Sequence, residues 1–167
     1  MYNKIFLVAG GTGGHLYPAI SLTEIDNKFD YYFLIDHRTE KIIKNKKLKY
    51  FKIKSSKIKF DFKLPYSLSK IIFGIFQSII LIRKLKPKLV IGFGGYTSFP
   101  SIIAARLLNV NIIIHEQNSI MGKANRFLSG FTNNIAINFE KTKFSKNCST
   151  HTGMPVRQKK KKNKKKM

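Results

Sequence analysis

Short apolar runs recur along this chain, with helix-length stretches between them. The first covers 4–9 (KIFLVA), and others fall at 31–35, 50–54, 88–91, 111–114 and 134–137. They are rich in Ile, Leu, Val, Phe and Tyr, and most of them run without alternating polar residues. That pattern predicts short strands buried on both faces. Between them, 15–27 carries Leu16, Ala19, Ile20 and Ile25 at helical spacing after a glycine-rich turn. Residues 67–85 predict a long and very apolar helix, and 100–108 and 123–129 predict shorter ones. Strands that alternate with helices imply a parallel sheet, so the expected fold is a doubly wound, Rossmann-like α/β domain with strand order 3-2-1-4-5. No internal repeat is visible.

Composition adds charge to this picture. The chain has 32 Lys and Arg against 8 Asp and Glu, a formal net charge of +24. The end of the chain, 158–167, is a lysine tract that is expected to form a solvated tail after a single domain over 1–157. A basic surface attracts phosphates, whether in nucleic acid, anionic lipid or a diphosphate substrate. The abundance of Lys, Ile, Asn and Phe is equally what an AT-rich genome produces, and a slip in a poly-A run would explain the tail. No nucleic-acid-binding module is recognisable, so nucleic acid is not an expected partner. Cys148 is the one cysteine, which allows no internal disulfide and suits a reducing compartment. The first apolar run is too short for a signal peptide.

Candidate chemistry gathers at the carboxyl ends of the strands. The stretch after the first strand, Gly10-Gly11-Thr12-Gly13-Gly14-His15, opens a helix, where free backbone N–H groups favour an anion such as a diphosphate. A dinucleotide site is one reading, with Asp36 in the place of a ribose-binding acid, but Leu16 stands where G-x-G-x-x-G requires its third glycine. After the fourth strand comes a second glycine loop, Gly94-Gly95-Tyr96, followed by Pro100. His115-Glu116-Gln117-Asn118 follows the fifth strand. Strands one and four are neighbours at the switch point, so these loops converge on one edge and make a site. No D-x-D pair occurs, so no metal ligands for a sugar nucleotide are expected.

These stretches, with Gly153-Met154-Pro155-Val156-Arg157, occur in the order and spacing of the MurG family of bacterial peptidoglycan glycosyltransferases, which the chain resembles over 4–157. The resemblance implies the N-terminal half of a GT-B enzyme. Such enzymes transfer N-acetylglucosamine (GlcNAc) from UDP-GlcNAc to the muramoyl 4-hydroxyl of lipid I with inversion. They form lipid II at the cytoplasmic face of the plasma membrane, as peripheral proteins and without a cofactor. By the same resemblance, Thr12, Gly13 and Gly14 contact substrate, Asn118 contacts the donor sugar, and Arg157 reaches the nucleotide sugar from the domain junction. His15 is the candidate base on the acceptor hydroxyl, and a role limited to ordering the loop stays open beside it. His115 is expected to close strand five and orient its loop, and His37 and His151 to be ordinary.

Two departures stand out. Met154 replaces the family's usual Asn, and a donor-binding second domain is expected to be absent. The alternatives are therefore an acceptor half that works with a donor-domain partner chain, or a non-catalytic module binding lipid-linked sugar or anionic membrane. The candidate membrane patch is Ile72, Phe73, Phe76, Ile79 and Ile80, flanked by Lys70, Arg83, Lys84 and Lys86. Its uninterrupted stretch, 71–82, is too short to span a bilayer.

Overall fold

The computed structural model describes residues 3–11, 13–26, 28–57, 62 and 64–156. Along the chain run β1 (Lys4–Val8), α1 (Gly13–Ile25), β2 (Asp30–Ile35), α2 (Glu40–Asn45), β3 (Tyr50–Lys52), α3 (Leu64–Leu85), β4 (Leu89–Gly92), α4 (Ser98–Leu107), β5 (Asn111–Glu116), α5 (Lys123–Leu128), β6 (Ile135–Ile137) and β7 (Ser149–His151). All strands are parallel, in the order β3-β2-β1-β4-β5-β6-β7. The doubly wound α/β expectation is borne out, and β6 and β7 extend the sheet past the five strands ordered from sequence.

The apolar runs build this sheet because both of its faces are covered. Successive side chains of a strand point to opposite faces. Phe6 and Val8 thus join one core layer with Leu34, Val90, Ile102 and Ile114, while Ile5, Leu7 and Ala9 join the other with Leu16, Phe33, Ile35 and Ile43. Helices α3, α4 and α5 contribute to the first layer, α1 and α2 to the second.

Three elements depart from expectation. Helix α2 was not anticipated, because only Ile43 of its six residues is buried and no periodicity can be read from one position. Strand β7 was also missed, because Ser-Thr-His at the sheet edge carries no apolar signal. Helix α3 begins at Leu64, three residues early, since Pro65 is compatible with a first helical turn.

Helix α3 is patterned inside out. Its buried residues are Ser67, Ile71, Gly74, Ser78 and Ile82, and they lie chiefly against α4, where Ser78 and Ser101 hydroxyls meet at 3.1 Å. Leu68, Ile72, Phe73, Phe76 and Ile80 are exposed. Ile79, counted with that patch from sequence, instead packs against the core. By length and composition alone the 22-residue helix, roughly 33 Å long at about 1.5 Å per residue, reaches the dimension of a bilayer span. Its inner face is nevertheless committed to α4.

Asp36, at the end of β2, binds protein rather than a ribose. Its carboxylate accepts from Arg38 Nε at 2.9 Å, from the Arg38 backbone N–H at 3.1 Å and from the Thr97 hydroxyl at 3.1 Å, joining the β2 end to the start of α4. Burial alone would push this carboxyl up. The Arg38 guanidinium, the Thr97 hydroxyl and the Arg38 N–H outweigh that and hold it below its usual value.

Two predictions follow from this packing. A Cβ at Gly74 would overlap the Lys54 carbonyl oxygen and lie 3.0 Å from Pro100, so Gly74→Ala should destabilise the domain by ~2 kcal/mol, despite alanine's higher helix propensity, in denaturant titration. A depressed carboxyl contributes stability above the unfolded value, about 3.9, and loses it as pH falls through the folded value. Asp36→Asn should therefore flatten the loss of stability below about pH 4 relative to wild type, as thermal melts across that range would show.

Candidate active site

The turns after β1 and β4 interlock through their glycines. A Cβ on Gly10 would overlap the Thr97 side chain, so only glycine lets these turns touch. Gly94 and Gly95 have φ of +94° and +76°, a region glycine alone enters without strain. A Cβ on either would come within 3.3 Å of the His15 ring. The second glycine loop is thus the floor on which the His15 imidazole lies.

His15, in the first turn of α1, is partly buried, and its Nδ1 lies 3.0 Å from Gln117 Oε1. Gln117 is buried. Its side-chain nitrogen donates to the His115 carbonyl oxygen at 3.0 Å and lies 3.1 Å from His115 Nδ1. His115 sits at the end of β5 with its ring tilted against Phe93 and its Nε2 3.1 Å from the Gly153 carbonyl oxygen. Burial pushes the His115 imidazole down, against smaller upward pulls from the Gly153 carbonyl and the Glu116 charge. The neutral ring is therefore favoured. His115 thus contacts the Gly153 backbone carbonyl directly and His15 through Gln117, connecting three of the four sequence motifs.

Glu116 organises the turn after β5. Its buried carboxylate accepts from the Asn118 N–H at 3.0 Å, Asn118 Nδ2 at 2.9 Å, the Gly122 N–H at 3.0 Å and Asn125 Nδ2 at 2.8 Å. Four neutral donors replace water around this charge, which is how a buried carboxylate is tolerated. Since the Asn118 nitrogen faces a carboxylate, its amide oxygen is the group left for a ligand, and the side chain is exposed.

A cleft of about 200 Å³ opens between these loops, lined by His15, Gly94, Gly95, Tyr96, Glu116, Lys123 and Asn125 among others. It unites His15 with the second glycine loop. Gly13 and Gly14 instead line a separate hollow of about 540 Å³ with Tyr17, Pro18 and residues 154–156. Thr12, Arg157 and the lysine tail lie outside the described residues. His37 and His151 are exposed and outside the cleft. Gln117, Glu116 and Asn125 were not singled out from sequence as site residues. The signal for Glu116 was present in one respect, as an acid in a chain with so few.

The family model described as the glycosyltransferase family 28 N-terminal domain matches residues 5–137. A Rickettsia bellii protein named UDP-N-acetylglucosamine–N-acetylmuramyl-(pentapeptide) pyrophosphoryl-undecaprenol N-acetylglucosamine transferase is 42% identical over 164 residues, which cover 92% of this chain and 44% of that protein. A protein of the same name from Wolbachia sp. subsp. Brugia malayi is 42% identical over 146 residues, covering 85% of this chain and 40% of that protein. The chain therefore spans less than half the length of these relatives. Among solved structures, Acinetobacter baumannii MurG superposes with a TM-score of 0.78 at 24% identity, covering 93% of this chain and 47% of that one, a likeness of fold. The resemblance read from the motifs is borne out: the chain belongs to glycosyltransferase family 28, whose N-terminal domain it carries.

Proposed function

We propose that this chain is the acceptor- and membrane-facing half of a transferase that moves GlcNAc from UDP-GlcNAc to lipid I, forming lipid II at the cytoplasmic face of the plasma membrane. The observation that carries this reading is His15, held over the second glycine loop with Nδ1 engaged and Nε2 without a hydrogen bond among the described residues. That free nitrogen is suited to take the proton of the muramoyl 4-hydroxyl. As the proton leaves, the hydroxyl oxygen forms a bond to the anomeric carbon. The bond from that carbon to the UDP phosphate oxygen breaks, and its electron pair departs with UDP. One displacement inverts the anomeric centre. The Asn118 amide oxygen is placed to accept from a sugar hydroxyl.

The relatives' further length suits the donor side. An apolar hollow of about 450 Å³ on the α1 face of the sheet, lined by Leu22, Ile25, Ile91, Ile113 and Ala136, fits a second body packed there. The outer face of α3 suits a membrane. Its aromatic rings sit beside cations, Lys54 over Phe73 at 4.6 Å and Lys70 over Tyr66 at 4.3 Å, an arrangement that combines apolar insertion with attraction to anionic headgroups.

Activity is best measured on this chain paired with the C-terminal half of a Rickettsia relative. His15→Ala should retain the wild-type melting profile within a few degrees and lower GlcNAc transfer by ~10²-fold or more, since a positioned base contributes about that much. Unchanged transfer would remove His15 from the reaction. Vesicle flotation tests the other half of the reading. The chain should bind anionic vesicles more tightly than neutral ones, and release as salt rises. Phe76→Ser with Ile80→Ser should weaken binding by at least about tenfold through lost apolar burial. Equal binding to neutral vesicles would remove the electrostatic component.

A further inference from the structure

The hydrogen bonds around Gln117 fix more than its position, because several of the atoms involved can play only one role. A backbone carbonyl oxygen only accepts. The Gln117 side-chain atom 3.0 Å from the His115 carbonyl oxygen must therefore be the NH₂, and the opposite atom, facing His15, must be Oε1. Oε1 also only accepts, so the hydrogen between it and His15 Nδ1, 3.0 Å away, belongs to the imidazole. At the other end, the Gly153 carbonyl oxygen 3.1 Å from His115 Nε2 requires a proton on that nitrogen. Burial disfavours a second proton on His115. Its Nδ1 is then a lone pair, ready to accept the second Gln117 N–H at 3.1 Å.

Every atom in the chain from Gly153 to His15 thus has one self-consistent role. Turning the Gln117 amide over would set its oxygen against both the His115 carbonyl and the His115 lone pair. Gly94 and Gly95 close on the His15 ring from the cleft side and restrict its plane.

We propose that Gln117, clamped by His115 and through it by the Gly153 carbonyl, is the positioning group that keeps the proton of neutral His15 on Nδ1 and its lone pair on Nε2. The inference rests on the transferase reading for its purpose, since a base acting in the cleft needs that lone pair in place before substrate arrives. In the reaction Nε2 takes the proton of the acceptor hydroxyl, and the Gln117 oxygen goes on accepting from Nδ1–H as positive charge spreads over the ring. A neutral amide here does the work of the third group in nucleophile–base–orienter triads. The loop that bears Gly153 is thereby joined to the base through its backbone carbonyl and the His115 and Gln117 side chains.

Nitrogen NMR on the full, ¹⁵N-labelled chain at about pH 8, where neutral imidazole predominates, tests the assignment directly. His15 should show a protonated Nδ1 and an unprotonated Nε2, and His115 the reverse. Gln117→Leu should convert His15 to a mixture of tautomers, and His115→Phe should do the same by releasing the amide. A wild-type His15 protonated on Nε2, or a Gln117→Leu protein with the wild-type pattern, would overturn the proposal. In the paired enzyme Gln117→Leu should lower kcat at least about tenfold while KM stays within about twofold. An altered tautomer with wild-type kcat would overturn the catalytic meaning. A paired wild-type enzyme that transfers no sugar would remove the transferase reading and leave the nitrogen spectrum to decide the tautomer.

Discussion

The close approach of the β1 and β4 turns is the constraint on which the rest of the site depends. At the switch point these turns leave the sheet side by side, and no side chain fits between the Gly10 backbone and Thr97. With that gap closed, Thr97 reaches Asp36, which reaches Arg38, so the ends of β2, β1 and α4 are drawn together. The same closeness brings the first turn of α1 over Gly94 and Gly95, where His15 lies. Were the turns an ångström further apart, the imidazole would lose its floor, and its distance to Gln117 would leave the hydrogen-bonding range.

The glycines show what can and cannot be read from a sequence. Their clustering at strand ends pointed to the place where a cleft opens, because strands of a parallel sheet end in the loops that build clefts. Their purpose was not legible. A glycine that admits a phosphate and one that admits another part of the protein look alike in a string of letters, and Gly10, Gly94 and Gly95 are of the second kind. Asp36 carries the same lesson. Its place after β2 suggested a ribose partner, whereas its actual partners are two residues and sixty-one residues away.

The strand order was legible because buried parallel strands are uniformly apolar, and every run read as a strand became one. What escaped was held by long-range polar contact. His15 and Gln117 are 102 positions apart, and no local pattern announces that a glutamine will meet a histidine from another loop. Glu116 is comparable, as its four donors come from a turn whose shape the carboxylate itself imposes. Strand β7 and helix α2 escaped for the opposite reason, being too short and too polar to leave a periodic trace.

The inverted patterning of α3 has a consequence for the molecule in free solution. Small residues face α4 because the helices approach closely, and the bulky apolar residues are left outside. Two such faces meeting in water would bury each other, and what opposes that encounter is mutual repulsion between chains of net charge +24. Screening weakens this repulsion as ionic strength rises. Salt that screens this charge therefore also removes the chain's protection against self-association. Colloidal stability thus rests on one charge, and a mild detergent that covers the α3 face is the condition that would keep two chains apart once the salt is raised.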